Sequence, residues 1–392
     1  MSLHHVILIP GFFAFTGLGE LKYFSGVDAV LSRAFQARGL GLDLIEIQTL
    51  PTASIRHRAA KVLEAVVEAA ERDDGPIHLV GHSTGGLDAR VAVTTHAPLA
   101  TPFKIVAAER VASIVTISTP HRGTPLASLF GSAMGQPLLR LMASAAVVGL
   151  ERGKLPLSSL IKLGELWTHV DDIFGLRTTL ADQLYEQLLR DFTDARRNEM
   201  IRFLRAVAED RSLVVQLTPD SLDLFNATTA DPDTLRYGSV ITRAPNPSLR
   251  GSLAHYRDPY EQAAYLAFTL VWLLTSRTDP RYAPQLTPEQ ERMLLQGFSE
   301  LPGLRDNDGM SPTLSQVWGE VIHVTTADHL DVVGQYGDSA RAGTHVDWLP
   351  SGSGFDAGAF ERVWQAVAGF ITRDRDVPRE AAPHIETHER HA

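Results

Sequence analysis

The sequence predicts an α/β fold with a mostly parallel central sheet, flanked by helices and interrupted by helical cap insertions. Short, apolar, β-branched runs alternate along the chain with stretches of helical periodicity. Parallel strands need helical crossovers, and strands covered on both faces read as continuous apolar runs. The 392 residues, 44% of them hydrophobic, are enough for one large domain with insertions or for two domains.

Six segments have strand character, and the first, HHVILIP, is apolar and branched almost throughout. The strands are predicted within residues 4–10, 41–51, 77–81, 111–119, 236–242 and 319–326. Between the second and third strands, residues 53–75 have the periodicity of an amphipathic helix. The predicted apolar face carries Ile55, Ala59, Val62, Val66 and Ala69. Gly75 and Pro76 end this helix.

Strand patterns are missing from about residue 124 to 210, where Ala, Leu and Met are frequent. A second helical insertion is predicted at about 257–300. Both insertions are expected to cap one edge of the sheet. We therefore predict a single domain over residues 1–375. Residues 376–392 are charged and contain proline, which is typical of a disordered tail.

Composition excludes several function classes. The 46 acidic residues outnumber the 36 basic ones, which argues against nucleic acid as a partner. Without cysteine, the chain has neither disulfides nor thiolate metal sites. The longest apolar run, residues 264–275, is too short to span a bilayer. No signal peptide is visible, so we expect a cytoplasmic protein, or a secreted one if a leader has been removed. The oligomeric state is left open.

The segment Gly81-His82-Ser83-Thr84-Gly85 matches the pattern G-x-S-x-G. It follows an apolar strand and precedes a helix-compatible stretch, which is the context of a nucleophilic serine on a sharp turn. Side chains two residues before and after the serine would collide there, so glycine is required. The alternative is a glycine-rich loop without chemistry. In the nucleophile interpretation, the Thr84 N–H at the start of the helix faces the developing oxyanion.

A serine nucleophile needs a base, usually histidine, and a carboxylate that orients it. Among the 15 histidines, His329 follows the last predicted strand, and Asp308 lies 21 residues upstream in a polar turn. The order Ser, Asp, His is that of doubly wound hydrolases. Asp306 competes with Asp308, which is alternatively an ordinary turn residue. His329 is alternatively an exposed loop imidazole.

The second oxyanion donor is expected after the first strand, where Pro10 and Gly11 precede Phe12. Gly11 allows close backbone approach, and the Phe12 N–H would face the reacting oxygen. An ordinary Pro-Gly turn is the alternative. Phe13 and Phe15 adjoin this loop and are candidate residues of an apolar acyl pocket. The apolar segment 126–150 is interpreted either as a lid that opens at lipid surfaces or as core.

The residues resemble the bacterial triacylglycerol lipases of the α/β-hydrolase superfamily, of the Pseudomonas, Burkholderia and staphylococcal types. Six segments carry this resemblance in the family's order: VILIPGFFAFTG, GHSTGGLDAR, TISTPHRGTPLA, LTPDSLDLFN, DNDGMSP and DHLDVVGQ. The resemblance implies an α/β-hydrolase fold. It implies Ser83 as nucleophile, His329 as base, Asp308 as its orienting acid, and Phe12 and Thr84 as the oxyanion donors.

The family often holds a structural calcium near the histidine loop, although no cofactor is required for its chemistry. Asp331 and Gln335 have the spacing of the calcium loop and are candidate ligands. The second acidic ligand has no identifiable counterpart, and Asp331 is alternatively a residue that hydrogen-bonds its own loop. The family usually has His-Gly where this chain has Pro10-Gly11, so a side chain that braces the oxyanion loop is replaced.

The predicted function is hydrolysis of apolar acyl esters, as in a lipase, through an acyl-enzyme. A short-chain esterase, thioesterase, phospholipase or polyester hydrolase would use the same residues. Two alternatives come from other classes: a non-catalytic lipid-binding protein on the same fold, and a membrane-surface protein that docks through its apolar helices. The expected partners are an ester or lipid substrate and, transiently, a lipid surface.

Overall fold

The computed structural model of the protein describes residues 3–12, 23–49, 52–94, 108–131, 210, 212–248, 259–337, 347 and 350–373. In these segments, each of the six predicted strands is present. They are β1 (Leu3–Ile9), β2 (Gly41–Glu46), β3 (Ile77–His82), β4 (Val111–Ile117), β5 (Arg236–Arg243) and β6 (Glu320–Thr326).

The helices of the described segments connect or cover these strands. They are α1 (Val27–Ala37), α2 (Ile55–Arg72), α3 (Gly85–Val93), α4 (Pro125–Gly131), α5 (Ser212–Gln216), α6 (Pro219–Thr228), α7 (Pro259–Thr275), α8 (Pro288–Phe298) and α9 (Ala357–Ile371). Local sequence fixes several of their starts. The Ser54 hydroxyl accepts from the His57 N–H at 3.2 Å before α2, and Thr287 and Gln290 form a capping box at α8.

The strands form a single parallel sheet in the order β2-β1-β3-β4-β5-β6. The prediction of a mostly parallel sheet is therefore confirmed. The chain moves outward from β1 to β2 and then returns to place β3 on the other side of β1. Such a switch point opens a crevice at the carboxyl ends of β1 and β3, where ligands of doubly wound sheets bind.

Alternate residues of β1 enter two separate cores, because successive strand residues point to opposite faces. Val6 and Leu8 pack with residues of α1 and α9 on one face. Ile7 and Ile9 pack with residues of α2 and α3 on the other. All five predicted apolar-face residues of α2 are buried. The sheet is therefore covered on both sides, and its carboxyl edge is left for the loops of a site.

Two predicted strands are shorter in the structure than in the sequence analysis. β2 ends at Glu46 rather than at residue 51. β4 ends at Ile117 because Ser118 has a positive φ of 52°, which no β-strand accommodates. The buried Ser118 hydroxyl lies 2.8 Å from the Thr242 hydroxyl at the end of β5, so this bend begins a polar cluster above the sheet.

Parts of the predicted cap and tail fall outside the described residues. The second insertion, about 257–300, contains α7 and α8. Most of the first insertion, about 124–210, and the whole predicted tail, 376–392, lie outside the described segments. Among the helices that are described, none has the length and apolarity needed to cross a membrane.

Candidate active site

Ser83 occupies a tight turn between β3 and α3. Its φ is 54°, a left-handed conformation that is uncommon for a residue with a side chain. Its N–H donates to the Ile117 carbonyl at 2.8 Å, which anchors the turn to the end of β4. The side chain lines the pocket above the sheet. Strain of this kind is kept where the surrounding structure enforces it, often at functional sites.

Close packing around this turn explains its glycines. A side chain on Gly81 would collide with the backbone of Gly85 and Gly86, and one on Gly85 would collide with the Ile9 carbonyl. A methyl group on Gly11 would lie 2.5 Å from the Cβ of Ser83. The G-x-S-x-G glycines therefore stand where the sequence analysis required them, and Gly11 brings the loop after β1 against the serine.

Arg58 anchors the loop after β1 by hydrogen bonds to its backbone. This buried residue of α2 donates from Nη2 to the carbonyl oxygens of Pro10 at 2.7 Å and Gly11 at 3.3 Å. The Gly11–Phe12 peptide is trans and planar, so the Phe12 N–H points away from Arg58. Phe12 lines the same pocket as Ser83 and Thr84. The two residues predicted to supply the oxyanion donors thus line the same pocket as the serine.

The guanidinium of Arg58 is paired with Asp88 on α3. Nε of Arg58 lies 2.9 Å and Nη2 2.8 Å from Asp88 Oδ2, and both side chains are completely buried. Burial raises the pKa of Asp88 to about 6, and the attraction of Arg58 offsets this only in part. The ion pair joins the helix after the serine to the loop after β1.

Asp308 is buried and accepts five hydrogen bonds. Its Oδ1 accepts from the N–H groups of Met310 at 3.0 Å and Ser311 at 2.7 Å. Its Oδ2 accepts from the Thr242 hydroxyl at 2.8 Å, Gln316 Nε2 at 3.2 Å and His329 Nδ1 at 2.8 Å. These five donors stabilise a negative charge on the buried Asp308 carboxylate.

The competing carboxylate, Asp306, faces elsewhere. Its Oδ2 accepts from the Gly303 N–H at 2.9 Å and lies 3.5 Å from the Arg243 guanidinium. It closes its own turn in the manner of an Asx residue. Of the two candidates, the structure brings Asp308 to the histidine.

His329 lies on the loop after β6 and is almost completely buried, so it is not an exposed loop imidazole. Its N–H donates to the Asp308 carbonyl at 2.9 Å, so backbone and side chain both tie it to that turn. An ionised carboxylate only accepts, so Nδ1 of the neutral ring carries the proton. Nε2 is then left with a lone pair, which is the state that a general base requires.

The residue before the serine connects to this histidine directly. His82 Nε2 lies 2.8 Å from the His329 carbonyl oxygen, and the two ring centroids are 4.7 Å apart. On the other side, His82 Nδ1 lies 2.7 Å from the hydroxyl of Tyr23. Neither Tyr23 nor His82 was a candidate in the sequence analysis, although His82 stands inside the serine motif.

The pocket at Ser83 is mostly apolar and encloses about 50 Å³. Four lining residues, Ser83, Thr84, Thr124 and Ser311, carry hydroxyl groups, and the others are apolar. The apolar lining residues are Phe12, Pro120, Leu126, Ala127, Val214, Leu217 and Met310. Such a lining suits an acyl chain better than a polar group. Phe13 and Phe15, the other predicted pocket residues, lie outside the described residues.

The predicted calcium loop is held by its own hydrogen bonds. Asp331 Oδ2 accepts from the Asp328 N–H at 2.8 Å and from the Ser353 hydroxyl at 2.8 Å. Burial raises the pKa of Asp331, and the nearby carboxylates of Asp328 and Asp347 add to the effect. Gln335 lies half-buried on the same loop. Within the described segments, no group of three or more acidic, His or Cys side chains is arranged to hold a metal. Asp331 therefore acts as a loop acceptor here, which is the alternative to its predicted role as a calcium ligand.

Comparisons with known proteins place the fold. Residues 50–131 match a family described as the PGAP1-like alpha/beta domain, a stretch that contains β3 and Ser83. No curated protein sequence matches the chain. The structure of EstA from Clostridium botulinum is similar with a TM-score of 0.51 and 17% identity, over 94% of this chain and 87% of EstA.

Two other solved structures similar to this one are a lipase and a carboxyl esterase. Staphylococcus hyicus lipase has a TM-score of 0.48 and 15% identity, over 94% of this chain and 95% of the lipase. The metagenomic carboxyl esterase MGS0156 has a TM-score of 0.47 and 16% identity, over 94% of this chain and 75% of the esterase. The parallel sheet, its flanking helices and the likeness to EstA make this an α/β-hydrolase-like fold.

Proposed function

We propose that the protein is a serine hydrolase that cleaves apolar acyl esters through an acyl-enzyme on Ser83. The observation that carries the proposal is the hydrogen bond between His329 Nδ1 and the buried Asp308. The His329 ring lies 4.7 Å from that of His82, which directly precedes a serine on a strained strand-to-helix turn. The residue types and their chain order are those that nucleophilic catalysis by serine requires, and the His329–Asp308 contact is that of a base with its orienting acid.

In the proposed reaction, His329 Nε2 removes the Ser83 proton as the Ser83 oxygen attacks the ester carbonyl. The imidazolium that forms is stabilised by Asp308, whose charge is fixed by its five donors. His329 then protonates the departing alcohol. Water, activated by the same nitrogen, attacks the acyl-enzyme and releases the acid. No metal takes part in these steps.

The negative charge of each tetrahedral intermediate is assigned to the N–H groups of Phe12 and Thr84. Arg58 supports the first of these, because it holds the carbonyl of the same peptide group. The second lies at the start of α3, where the helix dipole favours negative charge. Loss of one such donor costs about a hundredfold in kcat or more.

The apolar lining of the pocket favours substrates with hydrocarbon acyl groups over polar ones. A lipase of the Pseudomonas, Burkholderia or staphylococcal type is the finer form of the proposal. A non-catalytic binding protein would need neither the five donors at Asp308 nor the strained serine.

The test is hydrolysis of p-nitrophenyl esters from acetate to palmitate by the wild type, Ser83→Ala and the control Ser32→Ala on the exposed face of α1. We expect turnover by the wild type and the control, and a loss of about a thousandfold or more in Ser83→Ala. The preferred chain length separates a lipase from a short-chain esterase. A wild type that is inert on the whole series, or a Ser83→Ala variant that retains full activity, would contradict the proposal.

A further inference from the structure

A chain of three hydrogen bonds runs beside Ser83 through the partly buried side chain of Tyr23 and the buried side chain of His82. The Gly11 N–H donates to the Tyr23 hydroxyl at 3.1 Å. That hydroxyl lies 2.7 Å from His82 Nδ1, and His82 Nε2 lies 2.8 Å from the His329 carbonyl oxygen. Its two ends are on loops that follow β1 and β6, and its middle is at the end of β3.

Donor and acceptor chemistry allows this chain a single arrangement of protons. A carbonyl oxygen only accepts, so His82 Nε2 must carry a proton. Burial, followed by the charge of His329, lowers the pKa of His82 far below its ordinary value, so Nδ1 is an acceptor. Tyr23 must then donate to Nδ1, and burial raises the pKa of its phenol, which keeps that proton in place. The phenol oxygen accepts from Gly11.

Each end of this hydrogen-bond chain lies beside a group that the proposed reaction uses. Gly11 immediately precedes Phe12, the proposed oxyanion donor, and a methyl group on Gly11 would touch Ser83. His82 immediately precedes the nucleophile, and the carbonyl that it contacts belongs to the proposed base. Pro10 has no side-chain donor or acceptor, so it contributes no brace of its own to this loop.

We propose that Tyr23 and His82 are positioning residues. They align the loop after β1, which carries Phe12, with the loop after β6, which carries His329, around Ser83. The inference rests on the proposed ester hydrolysis and adds the means by which three distant loops are aligned. Neither residue is assigned contact with the reacting atoms. Their effect is on geometry, and a displacement of about 1 Å at a reacting centre costs up to a hundredfold in rate.

Neutral His82 also suits the charge that develops during the reaction. His329 becomes an imidazolium when it takes the serine proton, and the His82 ring is 4.7 Å away. A second cation at this distance would oppose that step. A hydrogen-bonded but uncharged imidazole supports the His329 backbone without this penalty.

The experiment compares Tyr23→Phe with Tyr282→Phe, a change at a buried tyrosine that the proposed mechanism does not use. Each removes one hydroxyl and leaves the ring. For Tyr23→Phe, we expect kcat on a p-nitrophenyl ester to fall about tenfold with KM unchanged, because alignment is lost in the transition state rather than in the bound substrate. The affinity for a boronic acid, which forms a tetrahedral adduct on serine, should fall by the same factor. Tyr282→Phe should change neither.

His82→Gln gives an independent test, since its amide retains a donor for the His329 carbonyl. We expect its effect and that of Tyr23→Phe to be non-additive in the double variant, because both interrupt the same chain. Thermal melts and near-ultraviolet circular dichroism report whether each variant is folded. Should Tyr23→Phe prove unfolded, ¹⁵N-histidine spectra of the wild type carry the test: a neutral His82 with its proton on Nε2 across pH 5–9 supports the chain, and a titrating His82 overturns it.

The outcomes separate this inference from the function on which it rests. A wild type that hydrolyses no ester overturns the proposed function. An active wild type whose Tyr23→Phe variant matches Tyr282→Phe in kcat and in boronic acid affinity overturns the positioning role alone. Equal losses of kcat and of boronic acid affinity in Tyr23→Phe and His82→Gln, with KM unchanged, support it.

Discussion

The hydroxyl of Ser118 lies 2.8 Å from the hydroxyl of Thr242, which in turn lies 2.8 Å from Oδ2 of Asp308. An ionised Asp308 can only accept, so Thr242 must donate to it and accept from Ser118. Ser118, in the bend that ends β4, thus orients the Thr242 hydroxyl that donates to the acid of the proposed site. This relationship leads to the first prediction.

Thr242→Val removes a donor to a buried carboxylate and keeps the side-chain shape. We expect about 1.5–3 kcal/mol of lost stability, as for other hydrogen bonds to charged groups. We also expect kcat/KM to fall about tenfold, because Asp308 orients His329 less firmly. Urea unfolding and ester hydrolysis measure the two effects. The control is Thr228→Val on the exposed side of α6. Equal effects from both changes would show that Thr242 has no special role.

The two neighbouring carboxylates of the 303–312 turn should differ sharply in their effect on activity. Asp308→Asn is expected to lower kcat by about 10⁴, because an amide no longer selects the histidine tautomer that a base requires. Asp306→Asn should leave kcat within a fewfold of the wild type, since Asp306 contacts Gly303 and Arg243 rather than His329. Steady-state kinetics of both variants decide. The reverse order would assign the acid to Asp306.

The Asp88 carboxyl should make stability fall as pH rises. Its folded pKa of about 6 lies above the value near 4 of an unfolded aspartate, so the folded chain binds this proton more tightly. The contribution is therefore complete below about pH 4 and is lost as the pH rises through about 6. Between these limits, Asp88→Asn should gain up to about 3 kcal/mol relative to the wild type.

Denaturant unfolding of both proteins at pH 4, 5, 6 and 7 measures this difference. The Asn variant has a constant offset at every pH, because an amide replaces the protonated carboxyl beside Arg58. The prediction therefore concerns the slope of the difference against pH. A difference that is constant from pH 4 to pH 7 would mean that Asp88 titrates alike in the folded and unfolded chains.

Chelation should not affect the histidine loop. Asp331 already accepts from Asp328 and Ser353, so its position does not depend on a cation. We expect EDTA to leave both the Tm and the hydrolysis rate unchanged, and added calcium to raise neither. A binding cation would instead stabilise the folded state in proportion to its concentration. A Tm that drops with EDTA and recovers with calcium, but not in Asp331→Asn, would show that the loop binds the ion.

Much of the fold follows from patterns that act locally. The six apolar runs specify the strands, and the spacing of Ala59, Val62 and Val66 specifies the face of α2 that meets the sheet. Strand ends were less predictable. The end of β4 depends on Ser118, whose positive φ follows from its tertiary contacts rather than from its residue type.

The candidate site, too, could be predicted from the sequence only in part. Ser83, Asp308 and His329 could be proposed because each follows a strand or stands in a polar turn, in an order that the fold requires. The supporting residues could not be proposed, because their partners are far away along the chain. Arg58 gave the one available signal, a charged residue on the apolar face of a helix. Thr242 and Gln316 resemble ordinary polar residues until the sheet places them beside Asp308.

The hydrogen bond from His82 to His329 joins residues 247 positions apart. Contacts of such separation form late, because a long loop must be closed before they contribute. A chain folded only as far as the first four strands would hold its serine turn without its base. The proposed hydrolysis therefore requires the completed sheet, and we expect a chain in which β6 has not docked to be catalytically silent.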